Sequence, residues 1–197
     1  MLLGSRTRLS RQPASQLRAT FGHFATGVVA LTAREPDTDK LLGLTANSFA
    51  SVSLEPPLVS ICISHDSTSW PRMRRVPRQT ISILSAQQIF ACRQLAGKGD
   101  GKFDGLALVD SPGGSPILDG ALAWLECAVR QEYPAGDHNL VIMQVVDHGR
   151  LRPDDQPLVF YRSEFGGFSQ SAGASSASFS RNAPFTTDPQ PGDASHA

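Results

Sequence analysis

Between Gly43 and Ser53 the chain reads Gly-Leu-Thr-Ala-Asn-Ser-Phe-Ala-Ser-Val-Ser, with four hydroxyl side chains and one amide among small and apolar residues. Hydroxyls, an amide and the N–H groups of a turn suit a phosphate, whose oxygens need several donors at close range. The same spacing also fits a strand whose polar face meets solvent. On spacing alone both readings stand. The chain has no GxxxxGK[ST] loop and no GxGxxG turn, so the common nucleotide-binding turns are excluded.

His138 precedes an apolar run and is read either as a loop hydrogen-bonder or as a group that acts on a bound ring. His23, His65 and His148 have no partner at metal-ligand spacing. The three cysteines, Cys62, Cys92 and Cys127, are widely spaced in apolar stretches with no CxxC, which indicates buried, reduced thiols rather than zinc ligands or a disulfide frame. Cys62 has no neighbouring base in sequence to activate it, and a packing role is expected. No GxSxG elbow supports a hydrolase, and the carboxylates are too scattered to nominate an acid–base pair. Trp70 and Trp124 read as core or interface aromatics.

The elements that must position these groups follow from patterning. The chain has 197 residues, of which 40% are hydrophobic and 18% charged, enough for one domain with a substantial core. Lys plus Arg equals Asp plus Glu at 18 each, which leaves nothing to attract nucleic acid and little to oppose self-association. Residues 1–12 read as a flexible basic arm without the apolar core of a signal peptide, and no apolar run is long enough to span a bilayer. A soluble, cytoplasmic protein is expected.

Leu17, Phe21 and Phe24 predict one face of a helix over Ala14–Phe24. Strands are predicted over Val28–Thr32, Leu41–Ser53, Leu58–Ser64, Thr80–Leu84, Leu106–Val109, Ala121–Tyr133, His138–Leu151 and Leu158–Tyr161. Pro56-Pro57 cannot donate to a ladder and must mark a strand junction. Ser69–Val76 predicts a helical turn or two, and Ser85 caps a helix through Leu95 with Ile89, Cys92 and Ala96 inward. Gly97–Gly105 is a polar, glycine-rich loop. Mostly strands with a few short helices argues a β-barrel over a doubly wound sheet. Residues 13–168 form the predicted domain, and the Ser-, Ala-, Gly- and Pro-rich composition of 169–197 predicts a disordered tail.

The run Gly43-Leu44-Thr45-Ala46-Asn47-Ser48-Phe49, then Ser51-Val52-Ser53 and Pro56-Pro57-Leu58-Val59, resembles the flavin reductase domain of two-component monooxygenases. The likeness extends through Phe24–Val29, Lys102–Gly105, Ala123–Cys127, Gly136-Asp137-His138 and Pro157–Arg162, in order from about Leu17 to Phe168. It implies an FMN-binding split β-barrel that forms a homodimer, with the flavin near the subunit boundary. It further implies that Thr45, Ala46, Asn47 and Ser48 cradle the flavin phosphate and ribityl chain. Ser60, Ile61, Cys62 and Ser64 would run past the isoalloxazine, Ser67 and Ser69 would add hydroxyls on the phosphate side, and Lys102 and Phe103 would lie in a loop closing over the flavin. His138 would sit where the nicotinamide docks. Tyr161 and Arg162 are weaker candidates for cofactor contact.

The activity implied is hydride transfer from NADH or NADPH to FMN, with FAD as an alternative flavin, and supply of reduced flavin to a partner monooxygenase. Two other readings are a flavoprotein that keeps its flavin and acts on an organic substrate, and a flavin-binding module with little reductase activity. One departure stands out. Where the family carries a glycine after Gly-Asp-His, this chain runs Val141-Ile142-Met143-Gln144, and Met143 is expected to alter packing on the nicotinamide side.

Overall fold

The computed structural model describes residues 13–168. The predicted basic arm (1–12) and the predicted tail (169–197) lie outside the described residues. Among those described, the elements are α1 (Ala14–Phe21), β1 (Thr26–Gly27), β2 (Val29–Arg34), β3 (Leu41–Ala46), β4 (Ala50–Leu54), β5 (Pro57–Ser64), α2 (Trp70–Met73) and β6 (Gln79–Ile83). There follow α3 (Ile89–Ala96), β7 (Leu108–Asp110), β8 (Pro116–Leu118), β9 (Ala123–Ala135), β10 (His138–Arg150), β11 (Leu158–Tyr161) and β12 (Glu164–Gly167). No helix among them is long and apolar enough to cross a membrane.

Seven strands form one antiparallel sheet in the order β3-β2-β6-β9-β10-β5-β4. Alternation sets its inner face. On β5, Val59, Ile61 and Ile63 are buried while Ser60, Cys62 and Ser64 on the opposite face are only half-buried. Leu31, Ile61, Ile81, Cys127, Val141 and Met143 meet inside the curled sheet, and Trp70, Met73 and Val76 pack into the same cluster from α2 and the segment after it. This is the split-barrel architecture that the resemblance implies. A second apolar layer lies outside β2. There Val28, Ala30 and Leu84 are covered by Cys92 and Leu95 of α3, Leu118 of β8 and Leu158 of β11. Strand β2 is therefore buried on both faces.

The barrel has a seam. Strands β3 and β5 approach one another but share no ladder. The run Leu41–Ser53, predicted as one strand, breaks at Asn47-Ser48-Phe49 so that the chain can leave one sheet edge and return as β4 at the other. Within that break the Ser48 hydroxyl accepts the Cys62 N–H at 2.9 Å and donates to the Cys62 carbonyl at 3.1 Å. One side chain thus substitutes for a rung of the missing ladder.

Other local differences have equally plain causes. The helix α1 ends at Phe21, and Leu17, Phe21 and Phe24 all face outward, since α1 has no core to pack on within the chain. The Pro56-Pro57 junction is the β4–β5 hairpin turn, with Leu54 opposite Pro57. Ser85 is the expected N-cap and forms a capping box with Gln88, yet Ala91, Cys92 and Leu95 make the buried face of α3 and Ala96 is exposed, because the first turn is a 3-10 turn that rotates the face. Met143, expected to alter packing on the nicotinamide side, is fully buried in the barrel interior.

Replacing Ser48 by Ala removes both seam bonds and leaves the half-buried Cys62 peptide unpaired. The expected loss is about 1–3 kcal/mol in urea unfolding. An unchanged unfolding midpoint would show that the seam closes without this hydroxyl.

Candidate functional site

The seam opens into a cleft of about 340 Å³ on the outer face of the barrel. One wall is the end of β3 and its break, Leu44 to Ser48; the facing wall is Cys62 to Ser64 at the end of β5. Asp66, Ser67 and Thr68 close one side, and the carboxyl end of α3 with Lys98 and Lys102 closes another. His138 stands at the start of β10, paired in register with Ser64. Elements distant in sequence meet here because the barrel brings both of its unpaired edges to one place.

Of the residues singled out from sequence, Thr45, Ala46, Asn47, Ser48, Cys62, Ser64, Ser67, Lys102 and His138 line this cleft. Ser60, Ile61, Ser69 and Phe103 do not. Ile61 is fully buried in the barrel core. Ser60 shares the outer face of β5 but lies opposite Ala50 and Ile142, a step down the strand from the cleft. Phe103 packs against the second apolar layer, and a Cβ at Gly43 would lie 2.7 Å from its ring. Ser69 is buried and donates to the Gly43 carbonyl at 2.8 Å. Tyr161 and Arg162 do not line the cleft, and Arg162 and Ser163 form the tight β11–β12 turn, both at positive φ. Sequence reasoning missed Asp66, Thr68 and Lys98. The signal was present for two of them, Thr68 in the hydroxyl run Ser67-Thr68-Ser69 and Lys98 between two glycines.

The polar groups of the cleft are left with donors to spare. Ser64 Oγ accepts the Asp66 N–H and Ser67 Oγ accepts the Trp70 N–H, each at 3.2 Å, so both hydroxyl protons stay available. Asn47, Thr68 and Lys98 are exposed along the rim. Among the described residues neither Lys98 nor Lys102 is paired with a carboxylate. Lys102 spends its ammonium protons inward, on the carbonyls of Gly43 (3.0 Å) and Leu95 (3.1 Å) and the hydroxyl of Ser69 (3.0 Å). Burial lowers its pKa from the ordinary lysine value. It holds a positive charge at the cleft wall and caps the carboxyl end of α3.

His138 Nδ1 lies 2.6 Å from Asp137 Oδ1. The hydrogen bond from His138, and then its charge, lower the Asp137 pKa, so Asp137 is the ionised acceptor and Nδ1 the donor. The ring's Nε2 is left for other partners. The half-buried Cys62 faces the cleft through the outer side of β5, while Cys92 and Cys127 are buried. Burial raises the Cys92 pKa, and burial followed by the charge of Glu126 pushes Cys127 up to about 12, so both thiols are inert.

An open cleft rich in hydrogen-bond donors and positive charge fits the phosphate and polyol of a nucleotide-like ligand. Comparison with known proteins agrees. Residues 21–169 match the family described as flavin reductase like domain. The chain is 42% identical over 151 residues to a flavin reductase of Pseudomonas putida, covering 77% of this chain and 88% of that protein. It is 34% identical over 152 residues to HsaB, the reductase subunit of a flavin-dependent monooxygenase of Rhodococcus jostii (strain RHA1), covering 77% of this chain and 76% of that one. Among solved structures, the NADH:FAD oxidoreductase SgcE6 of Streptomyces globisporus C-1027, in complex with NAD and FAD fragments, superimposes with a TM-score of 0.76 at 36% identity, over 83% of this chain and 97% of that one. The chain belongs to the flavin reductase family.

Proposed function

We propose that this protein is an NAD(P)H:flavin oxidoreductase that reduces FMN or FAD and releases the reduced flavin to a partner flavin-dependent monooxygenase. The observation that carries this reading is the seam cleft, with spare hydroxyl donors, two lysines that meet no carboxylate among the described residues and one imidazole at its rim. The names of the relatives, a flavin reductase and a monooxygenase reductase subunit, support it. A hydride passes with its two electrons from C4 of the nicotinamide to N5 of the flavin, and a solvent proton completes the reduced flavin.

The protein's share of that reaction is alignment. Thr45, Ala46, Asn47 and Ser48 hold the flavin tail from one wall, Ser64 and Ser67 donate hydroxyl protons from the other, and Lys98 and Lys102 balance its phosphate charge. Cys62 presents the polarisable edge of β5 to the ring. Hydride needs no protein proton carrier, so His138 serves to position: with Nδ1 held by Asp137, Nε2 is free to accept from the nicotinamide carboxamide. Exposure of Asn47, Asp66, Thr68 and Lys98 around the rim favours a flavin that exchanges with solvent over one that is sealed in.

A second copy of the chain covers the outward apolar side chains, among which Phe21 is 66% and Phe24 77% exposed. The protein acts in the cytoplasm, where free thiols stay reduced.

The purified protein is expected to oxidise NADH or NADPH only when FMN, FAD or riboflavin is added, and to support a partner oxygenase across a dialysis membrane. His138→Ala should slow flavin reduction in stopped flow by about tenfold or more while leaving flavin binding intact. No flavin-dependent oxidation would overturn the function, and reduction at the normal rate would overturn the role of His138. Sedimentation velocity should give a dimer, and a monomer at micromolar concentration would remove the second copy from the account.

A further inference from the structure

From Trp70 to Gln79 the chain reads Trp-Pro-Arg-Met-Arg-Arg-Val-Pro-Arg-Gln, with four arginines and no acidic side chain. The segment is held firmly from beneath. Trp70, Met73, Val76 and Gln79, every third residue, are buried. Helical hydrogen bonds run on past α2 to Val76, whose N–H donates to the Met73 carbonyl at 2.9 Å. The Gln79 side-chain amide donates to the same carbonyl, also at 2.9 Å. This anchoring turns Arg74, Arg75 and Arg78 to solvent, and Pro71 and Pro77 stiffen the backbone that carries them.

The arginines differ in what neutralises them. Arg72 is gripped by Glu35 through Nε at 3.0 Å and Nη2 at 2.7 Å, and Arg74 meets Glu132 at 3.2 Å. Both carboxylates have further calls on them, Glu35 from the Thr38 hydroxyl and Glu132 from the Trp70 indole N–H. Arg75 and Arg78 pair with no carboxylate among the described residues. Arg130, exposed on β9 three residues beyond the rung between Gln79 and Cys127, meets the side-chain oxygen of Gln144. A chain whose charges balance overall thus concentrates guanidinium groups here, at a cost in mutual repulsion. Arg75 also walls a cavity of about 480 Å³ between the β2–β3 hairpin and this segment. Its other walls include Asp37, Arg72, Val76 and Pro77, so the free guanidinium shares the cavity with apolar surface. Asp37 lies there without forming an ion pair among the described residues.

We propose that this surface docks an acidic segment of a partner protein, whose carboxylates pair with Arg75 and Arg78 and whose side chains enter the cavity beside Arg75. Guanidinium groups bind carboxylates through paired hydrogen bonds, and a backbone fixed by buried anchors has little order left to lose on binding. Nucleic acid fits less well, since its affinity comes from many neutralised phosphates along an extended basic track. A lipid surface asks for apolar side chains beside the charges, and none of the exposed large apolar residues lies between Trp70 and Gln79. Because α2 begins two residues after Thr68, one short segment joins this surface to the seam cleft.

Binding of a fluorescently labelled deca-glutamate peptide to the full chain is measured by anisotropy. The Kd should weaken about tenfold or more between about 50 mM and about 200 mM salt. At the lower salt Arg75→Glu/Arg78→Glu should weaken it about tenfold or more, whereas Lys98→Glu, on the cleft wall, should leave it within about twofold. Both arginines are exposed, so the double variant should keep its unfolding midpoint. Arg75→Gln/Arg78→Gln, a milder change, should act in the same direction. No peptide binding, or binding that the double variants leave alone, would overturn the proposal. A loss in Lys98→Glu as large as in the double variant would assign the peptide to the cleft and overturn it too. Single-stranded DNA and phosphatidylserine vesicles are titrated in parallel. Tighter binding of either one, lost in the double variant, would make the occupant a nucleic acid or a membrane instead.

Discussion

A strongly curled antiparallel sheet must bring its two ends together, and here the last step is made by a side chain. Strands β3 and β5 approach without pairing, and Ser48 joins the break after β3 to the Cys62 peptide by donating one hydrogen bond and accepting another. Had the two strands zipped fully, their polar backbone edges would have satisfied each other and no cleft would exist. Because only one rung is replaced, the seam keeps its width, and the residues on either side of it keep unspent donors. The binding surface is what remains of an incomplete barrel closure.

That constraint also explains how the site is stocked. Alternation along β5 sends Val59, Ile61 and Ile63 into the core and leaves Cys62 and Ser64 on the outer face, at the end where the seam is open. The carboxyl end of α3 reaches the same place because α3 packs across β2 and β3, and Lys102 pins the following loop to Gly43 and Leu95. A chain with equal numbers of acidic and basic residues thereby gains a locally positive cleft. Net charge says nothing about this; the placement of Lys98 and Lys102, neither of which pairs with a carboxylate among the described residues, does.

Much of the fold could be read from residues alone, since strands of alternating burial such as β5, β9 and β10 carry their own period. The hydroxyl-and-amide run at Thr45–Ser48 was visible as a candidate for the same local reason. What stayed hidden depends on closure. Nothing in Ser60-Ile61-Cys62 says which phase of the strand faces the cleft until the barrel has an inside, and the resemblance groups Ile61 with Cys62 although it points the other way. Strands β8 and β12 are short and rich in proline or glycine, and they exist because the second apolar layer and the β11 edge need covering. Lys98 and Asp66 enter the site only through the folding of their loops, which has no period to read.

The central claim is that flavin sits in the unclosed seam, and hydrogen exchange of the backbone amides with and without saturating FMN tests it most directly. New protection should concentrate at residues 44–48, 62–68 and 95–102, the segments on either side of the gap. Protection confined to other strands, or no change at saturation, would contradict the account.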